Sequence, residues 1–197
     1  HFASLIYVPE SLEKPFKYYN NNLLSLLNII EIAKKYKSGL IFSSSSTVYG
    51  NPKKFPITED MPLGISPSPY GQTKKMGEEI LMDVSMEKNL SIISLRYFNP
   101  IGSHESALIG ERPVENPIHI LPYITQTAIG IKKKLTIFGN DYKTRDGTCI
   151  RDFIHVNDVA EAHIKCIPFL KKNKKKYYKF NIGIGKGISI LELIKQF

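Results

Sequence analysis

Hydrophobic and polar positions alternate along this chain in blocks whose period changes from helical to extended and back. Leu23, Leu24, Leu27, Ile30 and Ala33 recur near helical spacing behind Pro15, which predicts a helix from Pro15 to about Lys37. Leu40-Ile41-Phe42 is a short apolar run that reads as a buried strand leading into four serines. Residues 49–69 form a Pro-rich loop. Ser68-Pro69 then has the form of an N-cap followed by proline in the first helical turn, predicting a helix from about Tyr70 to Lys88. Leu90 to Tyr97 is apolar enough for a central strand, and Asn99 to Pro117 is irregular. A helix is predicted over Leu121–Lys132, a strand over Leu135–Phe138 and a polar loop over Gly139–Thr148. Asn157 or Asp158 would cap a helix to about Leu170, and Lys171–Lys176 would be a charged connector. Phe180-Asn181-Ile182 reads as a strand, Gly183, Gly185 and Gly187 as a turn, and Ser189 as the cap of a helix reaching Phe197. Helices alternating with short apolar strands imply a parallel α/β sheet. No internal repeat is visible.

Composition narrows the class. A chain of 197 residues with 42% hydrophobic content can bury a sizeable core and is not disordered. No apolar run is long enough to span a bilayer, which predicts no membrane partner. The net charge of +9 rests mostly on lysine; Arg96, Arg112, Arg145 and Arg151 are the arginines. Such charge suits anionic ligands, but solvated lysine faces account for most of it, and readers of nucleic acid lean on arginine. No nucleic-acid partner is expected. Cys149 and Cys166 form neither a disulfide framework nor a metal motif, so a reducing, cytoplasmic setting and no metal are expected. His1 with no initiator methionine reads like the end of a strand, so a fragment is expected.

The candidate chemistry centres on Tyr70 and Lys74. Four residues apart on a helix, they share a face, and a nearby ammonium favours a phenolate. Such a phenolate can take a proton from a sugar or alcohol hydroxyl, and Ser45 could hydrogen-bond the same oxygen. Ligands in open parallel sheets bind beyond the carboxyl ends of strands. Ser43 to Thr47, the start of the Tyr70 helix, and Phe98 with Asn99 are all predicted at that edge, and hence at one cleft. Each residue has a plainer reading beside this one. Tyr70 and Lys74 could be an exposed helix pair, and Ser45 could merely bridge a strand end. Arg151 could pair with Asp152 or Asp158, Asn21 could be a surface amide, and Phe2, Phe98 and Phe138 could be core. Tyr18 and Tyr19 read as packing residues.

Taken in order, His1-Phe2-Ala3, Tyr18-Tyr19-Asn20-Asn21-Asn22, Phe42 through Gly50, Ser68-Pro69-Tyr70-Gly71 with Lys74, and Arg96-Tyr97-Phe98-Asn99-Pro100 resemble the UDP-galactose (UDP-glucose) 4-epimerases, a family of extended short-chain dehydrogenase/reductases. Ile137 through Tyr142, Asp146-Gly147-Thr148 and Arg151 through Val156 extend the resemblance over essentially the whole chain. It implies a partial Rossmann-like, doubly wound parallel sheet in residues 1–100. Part of a smaller substrate domain would follow in 101–197, with a segment near 140–165 returning to the first domain. It implies reversible inversion at carbon 4 of UDP-galactose and UDP-glucose through a 4-keto sugar, with tightly bound NAD as cofactor, in galactose metabolism. Ser45, Tyr70 and Lys74 would be catalytic. Phe2, Ala3, Asn21 and Phe98 would line the NAD site with them. Thr47, Asn99, His119, Thr136, Ile137, Phe138 and Arg151 would contact the UDP-sugar together with Ser45 and Tyr70. The helices near 15–37 and 70–88 resemble those that pair in the family's homodimer.

The resemblance also implies that the family's Gly-rich pyrophosphate turn lies before His1 and its last substrate residues after Phe197. The Gly183/Gly185/Gly187 run is expected to be a structural turn, not a replacement cradle. Two positions depart from the pattern: Ile6 stands where a cofactor-binding lysine is usual, and His119 where an asparagine contacts substrate. The neutral Ser46-Thr47-Val48 argues against a related dehydratase, which needs acidic groups there. An epimerase for another UDP-sugar, and an inactive basic binding module, remain alternatives.

Overall fold

The computed structural model describes residues 1–87, 90–111, 117, 119–173 and 177–197. The chain divides into two units, one of residues 1–97 with 161–182 and the other of residues 98–160 with 183–197.

In the first unit, α1 (Val8–Glu13) and α2 (Pro15–Lys35) precede β1 (Leu40–Ser45). A 3-10 turn, Ser46–Tyr49, and a loop lead to α3 (Pro69–Val84) and then to β2 (Ile92–Tyr97). The three-stranded sheet is parallel, in the order β1, β2 and β5 (Tyr177–Ile182). Strand side chains alternate between faces, and the register puts Leu40, Ile92 and Tyr177 in one row and Ile41, Ile93 and Tyr178 in the next. The first row packs with Leu26, Ile30 and Ala33 of α2 and Leu81 of α3. Ile93 and Leu95 on the opposite face pack with Cys166, Phe169 and Leu170. These belong to α5 (Val156–Lys172), whose part from Glu161 onward lies in this unit. Residues 161–182 belong to this unit, and those α5 side chains and β5 complete the second layer of its core. The sheet is parallel and covered on both faces, as a doubly wound fold requires.

One row of the α2–α3 face is polar: Ser44, Arg96 and Asn181 stand side by side across the three strands. They are satisfied laterally. Arg96 Nε donates to Glu78 Oε1 at 2.9 Å, its Nη2 to Oε2 at 2.6 Å, and its Nη1 to the Tyr49 hydroxyl at 2.7 Å. Ser44 Oγ donates to Glu78 Oε1 at 2.5 Å, and Tyr49 donates to Asn181 Oδ1 at 2.6 Å. The network ties α3, the 3-10 turn and all three strands together directly beneath the serine run.

In the second unit, β3 (Asn99–Ile101) runs parallel to β4 (Ile150–His155), which pairs antiparallel with β6 (Gly187–Ser189). Among the described residues it also holds α4 (Ile120–Ala128), α6 (Ile190–Gln196) and the first turn of α5. Ser189 and Glu192 close a reciprocal capping box at the start of α6.

Several boundaries differ from the sequence reading. Leu135–Phe138 is not a strand; it has no ladder partner among the described residues, and Ile137 and Phe138 line a surface pocket instead. β3 and β4 were hidden, the first by Pro100 and neighbouring glycines, the second by its charged Arg151 and Asp152. The predicted strand at Phe180 begins earlier, at Tyr177. The predicted α3 end at Lys88 lies outside the described residues; the helix stops at Val84, where Ser85 Oγ turns back to the Met82 carbonyl at 2.6 Å. α5 begins at Val156, before the proposed caps. Residues 174–176 of the charged connector also fall outside the described residues.

Candidate active site

The local sequence around Tyr70 dictates its position. Ser68 Oγ accepts the Gly71 N–H at 3.2 Å and Pro69 supplies a helical φ, so α3 starts immediately before Tyr70. A side chain at Gly71 would bring Cβ to 3.2 Å from Thr47 Oγ1 and still closer to Ser66 Oγ. Glycine therefore allows the start of α3 to lie against the 3-10 turn that follows Ser45. Ser45 ends β1 in extended conformation and caps that turn by accepting the Thr47 N–H at 3.3 Å, and its side chain acts on the Tyr70 phenol. The hydroxyl of Thr47 is buried without a hydrogen-bond partner among the described residues.

Lys74 lies one turn along and is 3% exposed. Its Nζ donates to the Ser43 carbonyl at 2.8 Å and to Ser4 Oγ at 2.9 Å, and sits 5.1 Å from the Phe42 ring centre and 5.9 Å from that of Tyr70. Burial pulls the ammonium down to about 8. Burial also raises the Tyr70 phenol above its ordinary value, while the Ser45 hydrogen bond draws it part of the way back. The sequence reading expected Lys74 to lower the phenol. In this structure desolvation dominates, because the ammonium is directed to Ser43 and Ser4.

The N-terminal segment passes beside this site. Phe2 is exposed and its ring lies 4.9 Å from that of His163, while the Ala3 carbonyl accepts Ser25 Oγ at 2.9 Å. Asn21 is exposed and donates to the amide of Asn22 at 3.0 Å. Asn22 is the structural member of the pair. It accepts Leu5 N–H at 2.8 Å and donates to Leu5 O at 3.1 Å and to Thr73 Oγ1 at 3.0 Å. Its place could be read from spacing, since Tyr18, Asn22, Leu26 and Ile30 form the buried stripe of α2. Ser4, Ser43 and Glu78 had no such signal, because their roles depend on partners distant in sequence. Ile6 is exposed and carries no donor. Tyr18 is fully buried, with its hydroxyl 2.7 Å from the Tyr7 carbonyl and 3.0 Å from Glu10 Oε2, while Tyr19 is half-buried.

In the second unit, Thr136, Ile137 and Phe138 line one pocket with Ile120, Thr148, Cys149 and Ile190. Arg151 is exposed two residues beyond Cys149, and its Nη1 donates to the Ile150 carbonyl at 3.0 Å. Among the described residues it makes no ion pair with Asp152 or Asp158. Asp152 instead accepts the N–H groups of Ile184 and Gly185 at 2.9 and 2.8 Å. The glycine turn is thus closed by the protein's own carboxylate and is not an open phosphate cradle. Phe98 and Asn99 are half-buried, Asn99 opposite Phe153 in the β3–β4 pair. His119 is exposed and its Nδ1 lies 2.5 Å from Glu111 Oε1.

The first-unit residues fit a polar ligand that carries hydroxyl groups, as a dinucleotide does. A buried ammonium, two hydroxyls (Ser45 and Tyr70) and the unpartnered Thr47 hydroxyl converge there, with an exposed aromatic ring on the flanking segment. Residues 1–183 match the NAD dependent epimerase/dehydratase family. The chain is 49% identical over 196 residues to a UDP-glucose 4-epimerase of Dictyostelium discoideum, covering 98% of the chain and 57% of that relative. It is 48% identical over 199 residues to that of Bacillus subtilis, covering 100% and 58%. The crystal structure of the Bifidobacterium longum UDP-glucose 4-epimerase in complex with NAD+ and UDP superposes with a TM-score of 0.93 at 46% identity, over 99% of this chain and 58% of that one. The chain thus spans less than two thirds of the length of these relatives.

Proposed function

Because the chain belongs to the NAD dependent epimerase/dehydratase family, we propose that the protein carrying it interconverts UDP-galactose and UDP-glucose by inverting carbon 4 of the sugar, as a step of galactose metabolism. The observation that carries this reading is the buried phenol of Tyr70, with the Lys74 ammonium one turn away on α3 at 5.9 Å from its ring centre. Relatives that share half of the sequence and carry the name UDP-glucose 4-epimerase support the choice of sugar nucleotide.

Tyr70 takes the proton of the 4-hydroxyl and later returns it. Ser45 holds the reacting oxygen and the phenol in one hydrogen-bonded set, so little reorganisation accompanies the transfer. Positive charge at Lys74 favours the phenolate and works against the burial that keeps the phenol neutral. When bound, NAD supplies the two-electron oxidation and reduction at carbon 4. Tyr70, Lys74, Ser45, Phe2, Ala3, Asn21 and Phe98 hold that cofactor. Ile6 offers it no hydrogen bond. Thr47, Asn99, His119, Thr136, Ile137, Phe138 and Arg151 hold the UDP-sugar, with the Arg151 fork suited to a diphosphate. Exposed Leu24 and Leu27 on α2 and Met82 on α3 support homodimer formation through these helices. No described helix is long and apolar enough to cross a membrane, and both cysteines are free, which supports action in the cytoplasm.

The test is exchange between the two UDP-sugars by the complete, NAD-loaded protein. Tyr70→Phe is expected to lower the rate by about 100-fold or more while leaving the fold intact. An NAD-loaded parent protein that exchanges neither sugar would sink the reading.

A further inference from the structure

The Lys74 ammonium is held by two acceptors, and one of them, Ser4, comes from a segment 70 residues away. A buried ammonium needs acceptors for its N–H groups, and their placement decides where the charge sits. The Ser43 carbonyl is fixed by β1. The Ser4 hydroxyl is fixed just as firmly. Ser4 N–H donates to the Phe2 carbonyl at 2.8 Å, Ser25 grips the Ala3 carbonyl at 2.9 Å, and the Asn22 amide clasps both backbone groups of Leu5 at 2.8 and 3.1 Å. The same Asn22 reaches Thr73 Oγ1 at 3.0 Å, next to Lys74 in the chain. One clamp therefore sets the distance between the hydroxyl and the ammonium.

We infer that Ser4 is a positioning residue for Lys74, its hydroxyl and the Ser43 carbonyl together fixing a charged ammonium beside Tyr70. The consequence for the reaction rests on the function proposed above; the contact itself does not. Without the hydroxyl, Nζ keeps the Ser43 carbonyl alone, and its charged form loses a hydrogen bond in a site where burial already disfavours charge. Tyr70 then loses part of the positive charge that favours its phenolate. The groups facing Lys74 are Tyr70 on α3 and Glu78 one turn further on, and Arg96 neutralises Glu78. The sheet presents uncharged Ser43 and Phe42.

The experiment is a side-chain carbon NMR titration of Lys74 in the intact protein, with Lys74→Arg providing the assignment. Ser4→Ala and Ser4→Gly are expected to lower the Lys74 midpoint by about one pH unit, and Ser4→Thr, which keeps the hydroxyl, to restore it. In an active protein the alkaline side of the pH–rate profile moves with it. A folded Ser4→Ala protein with an unchanged Lys74 midpoint overturns the inference. Failure of both Ser4→Ala and Ser4→Gly to fold also overturns it, by showing that the hydroxyl serves folding. A lowered midpoint in a protein whose parent shows no sugar exchange keeps the Ser4 assignment and removes the epimerase reading.

Discussion

Glu78 and Arg96 form a fork-to-fork ion pair with both side chains 2% exposed. Two charges withdrawn from water in this way are tolerable only as a pair, and removal of one strands the other. Glu78→Gln is expected to destabilise the protein by about 3–5 kcal/mol. Arg96→Met should cost a similar amount, and the double variant less than the sum of the two. Denaturant unfolding of the four proteins of this cycle measures the coupling, and simple additivity would contradict it.

Burial lowers Lys74 from its unfolded value of 10.5 to about 8. Between those values the unfolded chain binds more protons than the folded one, so this group's contribution to stability rises with pH. Lys74→Met lacks this dependence. Its stability relative to the parent should be highest near pH 7 and decline as pH rises through 8 towards 10.5. A pH series of unfolding free energies checks the sign; a flat difference across the window would contradict it.

Tyr70 moves in the opposite sense. Burial raises its phenol above 10, so the stability it contributes is present below 10 and is lost as pH rises through the folded value. Ser45→Ala removes the hydrogen bond that draws the phenol down. The Tyr70 midpoint should then climb further. Ultraviolet difference titration checks this, with Tyr70→Phe variants in each background isolating the signal.

Asp152 closes the Gly183–Gly185 turn through two backbone N–H groups. Asp152→Ala returns both exposed amides to water and is expected to cost about 1 kcal/mol. Gly183→Ala should also destabilise, since a Cβ there would come within 2.6 Å of Asp152 Oδ2. Faster amide exchange at Ile184 and Gly185 in the Asp152 variant separates loss of the turn from general loosening. Protected amides at both positions would show that the carboxylate does not hold them.

The sequence by itself determined the elements whose cause is local. Pro15, the Ser68-Pro69 cap, the Leu90–Tyr97 apolar run and the Ser189 cap each specify a start or a strand through neighbours within a few residues. The order of Ser45, Tyr70 and Lys74 along those elements was legible for the same reason. Tertiary structure decided what depends on partners far apart in the chain. β3 and β4 exist because they pair with each other, and 135–138 is no strand because it finds no described partner. Helical spacing places Asn22 on the buried face of α2, but its role as a clamp was decided by Leu5 and Thr73, partners far away in the chain. The direction of the Lys74 ammonium was decided by Ser4 and Ser43, and the raised Tyr70 phenol by burial. Helical spacing brings Tyr70 and Lys74 to one face; desolvation and distant acceptors decide how each holds its proton.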